Sequence, residues 1–231
     1  MASHSGPPAT ALTADEEQKD RRGKRALRRA FVGFWVDYYD IYLPIVALAP
    51  AIAYFQPQNL SPALTLSLFY LTFAATLIAR PIGAAVFGSL ADRIGRRKVT
   101  LISMVEFGFA TTMIAFIPGY ETIGIWSYLL LVGLRFVDGL FLGGEYTSAN
   151  PLAMESAPAA RRGLYGGIIG SAYPVAYISI SVVTALVLLV FPSGGADSPY
   201  ATWGWRIPFL IGGFLAFAIA IYFRRVEESE I

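Results

Sequence analysis

Cysteine is absent from the 231-residue sequence, which excludes disulfide frameworks and thiolate metal sites. Histidine occurs once, as His4 in a polar N-terminal stretch, leaving no basis for histidine-based catalysis. Charge is scarce. Only 15% of residues are Asp, Glu, Lys or Arg, where a soluble domain carries about 25%. With 55% apolar residues, the chain lacks the polar surface to coat a globule. What remains is a membrane composition. A span of about 20 residues crosses the hydrocarbon layer, so the length leaves room for roughly six helices after a polar arm.

Residues 1–28 are rich in Ser, Pro and Ala, then acidic (Asp15, Glu16, Glu17), then basic, and are expected to form a disordered cytoplasmic arm with at most a short helical end. Apolar stretches follow near 30–54, 64–89, 99–118, 124–149, 164–191 and 205–223, defining a six-helix bundle over 29–223. Residues 224–231 read as the start of a cytoplasmic linker. The basic arm and first apolar stretch, with Ala47-Leu48-Ala49, also have the outline of a cleavable signal. Asp37 and Asp40 inside the apolar part argue against it.

Fifteen of the 18 basic residues fall in the N-terminal arm, the second and fourth connections and the C-terminal end. In an alternating six-span topology these share one side, and the positive-inside rule puts both termini in the cytoplasm. The cluster Trp126, Tyr128, Tyr200, Trp203 and Trp205 is expected to mark the outer interface.

Seven ionisable residues lie inside the expected spans: Asp37, Asp40, Arg80, Glu106, Arg135, Asp138 and Glu145. Each costs about 2.5–3.5 kcal/mol at mid-membrane on insertion scales, less towards the ends. Internal ion pairs or snorkelling near helix ends would make some of them structural, Glu106 and Glu145 in particular. Asp40, Arg135 and Asp138 count to near mid-membrane and point to function. Asp37 and Asp40 are three residues apart and share a helix face, while Arg135, Asp138 and Glu145 form one stripe. With five carboxylates against two arginines, full ionisation would leave a net charge of −3 in a medium that tolerates little charge. A carboxyl that ionises when an arginine approaches and takes a proton when it leaves would couple proton movement to conformation. Gly139-x-x-x-Gly143 and Gly166-x-x-x-Gly170 permit close helix approach, and Pro44 and Pro174 suggest bends at cavity depth.

The second connection reads Gly88-Ser89-Leu90-Ala91-Asp92-Arg93-Ile94-Gly95-Arg96-Arg97-Lys98. It resembles the cytoplasmic signature of the major facilitator superfamily, G-x-L-A-D-R-x-G-R-[RK]. In this loop Gly95 would allow the tight turn and Asp92 could cap the next helix. Arg80-Pro81-Ile82-Gly83, the segment from Arg135 to Glu145, Glu155-Ser156-Ala157-Pro158 with Arg161-Arg162-Gly163, and Trp205-Arg206-Ile207-Pro208 narrow the likeness. Together they resemble the metabolite:proton symporter family, bacterial carriers of carboxylates and compatible solutes, from about Gly33 to Glu228. The chain departs from that family in having Asp37 for Glu, Asp138 for Gln, and Tyr173-Pro174.

The resemblance implies an all-α integral membrane fold, six helices arranged as two inverted three-helix repeats, forming the N-terminal half of a twelve-span carrier. It implies a secondary active transporter in the bacterial inner membrane, moving a small polar metabolite with protons by alternating access. Asp40 and Arg135 would be the coupling pair, with Asp37 and Asp138 tuning it and Asp37 the rival for Asp40's role. Gly88, Asp92, Arg93, Gly95, Arg96 and Arg97 would form a cytoplasmic gate. Arg80, Glu106, Gly139, Gly143, Glu145, Glu155 and Arg162 would pack helices or support the charges. Expected partners are membrane lipid, the substrate, protons and a second six-helix half on the same or another chain. No enzyme activity, cofactor, metal or nucleic-acid partner is expected. The alternative is a non-transporting fragment, or a half-carrier subunit that needs a partner chain.

Overall fold

A computed structural model describes residues 14–155 and 161–228, and for 14–22, 96, 97, 145–155 and 225–228 their backbone only. Among the described residues every regular element is helical: α1 (Ala14–Leu43), α2 (Pro62–Ile94), α3 (Arg96–Ile114), α4 (Tyr120–Ile123), α5 (Trp126–Glu155), α6 (Arg162–Gly170), α7 (Ala172–Val190) and α8 (Arg206–Glu228). Five stretches are long and apolar enough to cross a membrane: 23–54, 62–94, 126–144, 162–190 and 200–224. α3 is the sixth member of the bundle and packs between α5 and α8. Its 19 residues begin with Arg96-Arg97-Lys98 and carry Glu106 midway, so it is less apolar than the others.

The basic stretch expected to be disordered is helical from Ala14 onward and continues into the first span without a break. Successive residues from Asp15 to Lys24 favour helix, since most are straight-chain charged or polar types. Residues 1–13 lie outside the described residues. At the other end α8 runs on to Glu228, through the segment read as a linker, and 229–231 are not described.

Two prolines interrupt helices near mid-span. Pro44 has no N–H to give to the carbonyl four residues back, which is that of Asp40. α1 accordingly ends at Leu43 and passes through a π-turn, Pro44–Leu48, and a 3₁₀ segment, Ala49–Tyr54. Pro174 likewise frees the carbonyl of Gly170, where α6 ends, and Ser171 separates α6 from α7.

The closest helix packing joins α2 to α5. A Cβ built on Gly139 would stand 2.3 Å from the Thr76 carbonyl oxygen, one on Gly143 2.2 Å from that of Arg80, and one on Gly83 1.9 Å from that of Leu140. Only glycine permits that approach, so the first of the two spaced glycine pairs is a packing device. Gly170 of the second pair faces open space.

Three expectations are corrected here. Tyr128, Tyr200 and Trp205 do not face outward but are buried, since each fills the core and two of them satisfy a carbonyl. Tyr200 Oη donates to Ala47 O at 2.7 Å and Tyr128 Oη to Leu68 O at 2.8 Å. Trp205 packs edge-to-face between Phe55 and Phe209, at 5.0 and 5.5 Å. Only Trp126 and Trp203 of that cluster are exposed. Asp92 does not cap α3: it lies in the last turn of α2, and the residue preceding α3 is Gly95, with no side-chain cap. Among the described residues Glu106 has no ion pair, and it lies midway along α3 rather than at its end. It projects from the exposed side of α3 beside Ile102, Val105 and Phe109.

Candidate functional site

Arg135 is fully buried in α5, at the level where α1 breaks. Its Nη1 lies 3.2 Å from Asp40 Oδ2 and 3.2 Å from Asp138 Oδ2, one turn along its own helix. The same nitrogen donates to the Asp40 carbonyl at 3.4 Å. That carbonyl is the one Pro44 leaves without a helical donor, so the proline that bends α1 also prepares an acceptor for the arginine.

Neighbouring elements complete the centre. Thr111 of α3 donates its hydroxyl to Asp40 Oδ1. Thr76 of α2 donates to the Arg135 carbonyl at 2.9 Å. The guanidinium carbon stands 5.4 Å from the centroid of the Phe209 ring in α8. Helices α1, α3, α5 and α8 therefore meet at the charged group, and α2 holds the backbone of Arg135. Asp37 is buried one turn from Asp40 on the same helix.

The way the charges are held matters more than their number. All contacts from Arg135 to the two acids run through Nη1, while its Nε and Nη2 have no protein hydrogen-bond partner. Neither oxygen of Asp138 has a hydrogen bond of good geometry. A bidentate guanidinium–carboxylate fork would be stronger and more rigid. Buried ion pairs offset their desolvation only when geometry and hydrogen bonding are good, so this centre has little to lose by rearranging.

Beside it, α1, α2 and α7 build an aromatic wall. Tyr42 packs against Tyr173 at 5.4 Å, Tyr177 at 5.6 Å and Phe73 at 6.4 Å, and Tyr38 meets Tyr173 at 5.6 Å. Tyr173 and Tyr177 are 44% and 40% exposed. Arg80, half-buried on α2, lies close enough to act electrostatically on Tyr42 and Asp138.

The structure thus unites Asp40, Arg135 and Asp138, with Asp37 and Arg80 nearby. It keeps apart the residues of the second connection: Asp92 and Arg93 are exposed at the end of α2, Gly88 faces open space, and Gly95 takes a left-handed φ of 97° at the turn into α3. The side chains of Arg96, Arg97, Glu145 and Glu155 lie outside the described residues; Arg162 is exposed at the start of α6. Sequence reasoning missed Thr76, Thr111 and the tyrosine wall. Buried hydroxyls and ring pairs carry no periodic signal, although Tyr173-Pro174 stood out as a departure.

The chain matches the model of the Major Facilitator Superfamily over residues 30–231. It is 38% identical, over 96% of its length, to the inner membrane metabolite transport protein YhjE of Escherichia coli, covering 50% of that protein. It is 33% identical over 90% of its length to the shikimate transporter of the same organism, covering 47% of it. Among solved structures, the xylose transporter XylE from E. coli superposes with a TM-score of 0.72 at 23% identity, over 86% of this chain and 48% of XylE. The chain spans about half the length of the curated relatives it matches, and those relatives are transporters rather than enzymes. With its apolar helices it is a multi-pass membrane protein, and it belongs to the Major Facilitator Superfamily.

Proposed function

We propose that this chain supplies the N-terminal half of a proton-coupled carrier for a small polar metabolite, a carboxylate or compatible solute, in the bacterial inner membrane. The carrying observation is Arg135, buried between Asp40 and Asp138 and bound to both through one nitrogen. In one state the guanidinium keeps Asp40 ionised. When substrate or a helix movement draws it towards Asp138 alone, Asp40 takes a proton, held in place by Thr111. The two states then differ by a few kcal/mol, a gap that one desolvated charge pair can shift. Asp37 and Asp138 tune the exchange, and the half-exposed tyrosines face the substrate.

A second six-helix half, on the same or another chain, closes the cavity. The exposed apolar rows of α2 (Ile78, Ile82, Val86) and α7 (Ile178, Val182, Leu186) support such a contact. Both termini lie in the cytoplasm, where Gly88, Asp92, Arg93, Gly95, Arg96 and Arg97 form the inner gate. This reading is preferred over a non-transporting subunit because a purely structural bundle would shed the buried charges.

Asp40→Asn in the assembled carrier, reconstituted in vesicles, tests the coupling. Substrate exchange should persist while accumulation driven by a pH gradient is lost. A permanent structural pair would instead lose folded protein in both assays, with recovery on also neutralising Arg135. Undiminished proton-driven accumulation by Asp40→Asn would remove Asp40 from the coupling step.

A further inference from the structure

At the end of the bundle away from the described termini, Arg206 opens α8 and gathers the ends of three segments. It donates to the Thr202 carbonyl through Nη1, and through Nη2 to the Tyr54 hydroxyl at 2.9 Å and the Ile117 carbonyl at 3.4 Å. Its guanidinium carbon is 5.1 Å from the Tyr54 and Trp203 ring centroids and 4.7 Å from that of Trp205. Every one of these partners is neutral. The acids at this end, Glu121 and Asp197, line a different cavity, and Glu121 accepts from Gln58. Among the described residues Arg206 is the one basic residue at this end, half-buried and without a counter-charge in any contact.

The guanidinium borders a cavity of ≈ 490 Å³ whose other walls include Phe116, Phe191, Trp203, Ile207 and Leu210. Phe116 and Trp203 are 66% and 69% exposed, so the cavity opens outward at the rim of the spans. Three guanidinium donors go to neutral oxygens, and the rest are uncommitted. A cation at one end of an apolar groove matches an amphiphile. A water-soluble anion would match the charge and leave the apolar walls uncovered.

We infer that this cavity holds an anionic phospholipid, its headgroup phosphate on Arg206 and the start of an acyl chain along Phe116, Ile207 and Leu210. The fit rests on charge complementarity, because phosphate neutralises a guanidinium that the protein leaves unpaired. It does not depend on the chain carrying a substrate.

Native mass spectrometry of the full chain in detergent, titrated with phosphatidylglycerol, tests this. One phosphatidylglycerol should remain bound per chain under conditions that strip phosphatidylcholine. Arg206→Gln should weaken retention by roughly tenfold, as loss of one charge-assisted contact implies. Arg206 also ties the helix ends together, so Leu210→Trp, which fills the groove and keeps the arginine, serves as the second variant and should also release the lipid. Equal retention of phosphatidylglycerol by both variants and the parent chain would overturn the inference. So would equal retention of phosphatidylcholine, displacement by millimolar inorganic phosphate, or a dimer that excludes lipid and separates in Leu210→Trp.

Discussion

Thr111 shows how much rests on a single hydroxyl in the charged centre. It is fully buried and gives its proton to Asp40 Oδ1, the carboxylate oxygen that does not face Arg135. Replacing it by the isosteric Val removes the donor without opening a void, and leaves a buried charged oxygen unsatisfied. The expected cost is about 1–3 kcal/mol, the usual penalty for orphaning such a group. A lower midpoint for Thr111→Val in a thermal melt of detergent-solubilised protein, beside an unchanged helical signal before the transition, would register it. An unchanged midpoint would mean that the Thr111 hydroxyl does not help to hold Asp40.

Among elements, the α2–α5 contact is one that a single substitution can break, because backbone rather than side chain stands in the way. Gly139 and Gly143 on α5 and Gly83 on α2 bring backbone against backbone, and Thr76 bonds across the seam to the Arg135 carbonyl. Gly139→Leu must push the helices apart, because the obstruction is the Thr76 main chain rather than a movable side chain. The protein should then fail to run as a single species in size-exclusion chromatography. Gly133→Ala, on the same helix but facing open space, should behave as the parent. If both variants behave alike, the seam is not what holds the bundle. The break in α1 belongs to the same scale: Pro44 ends the helix where Arg135 needs an acceptor, so a local backbone rule sets the position of a buried charge.

For the whole molecule, the open question is direction across the bilayer. The distribution of Lys and Arg argues for cytoplasmic termini, and engineered cysteines can check it in a chain that has none of its own. Cysteine at Asn59 or Ser193 should react with an impermeant maleimide added to sealed cells, and cysteine at Ser5 should not. The reverse pattern would invert the topology and move the proposed gate to the other face.

Composition and hydropathy were sufficient to determine a helical membrane bundle with five clearly apolar spans, and the motif at 88–98 carried the family signature; α3, less apolar, was located by its position between flanking loops. The apolar spans follow from composition over windows of about 20 residues, where individual contacts average out. Depth was legible too: counting along α1 and α5 brought Asp40 and Arg135 to the same level, and the structure pairs them at 3.2 Å. Tertiary structure alone decided which neighbours complete the pair. Thr111 and Thr76 come from α3 and α2, and Phe209 from α8, and no spacing in the sequence relates them. It also decided that Tyr128 and Tyr200 turn inward, where each ring fills the core and its hydroxyl satisfies a carbonyl, and that Trp205 packs inward against Phe55 and Phe209. Glu106 faces outward for the corresponding reason: which way a single residue on a membrane helix faces depends on which neighbours pack against that helix.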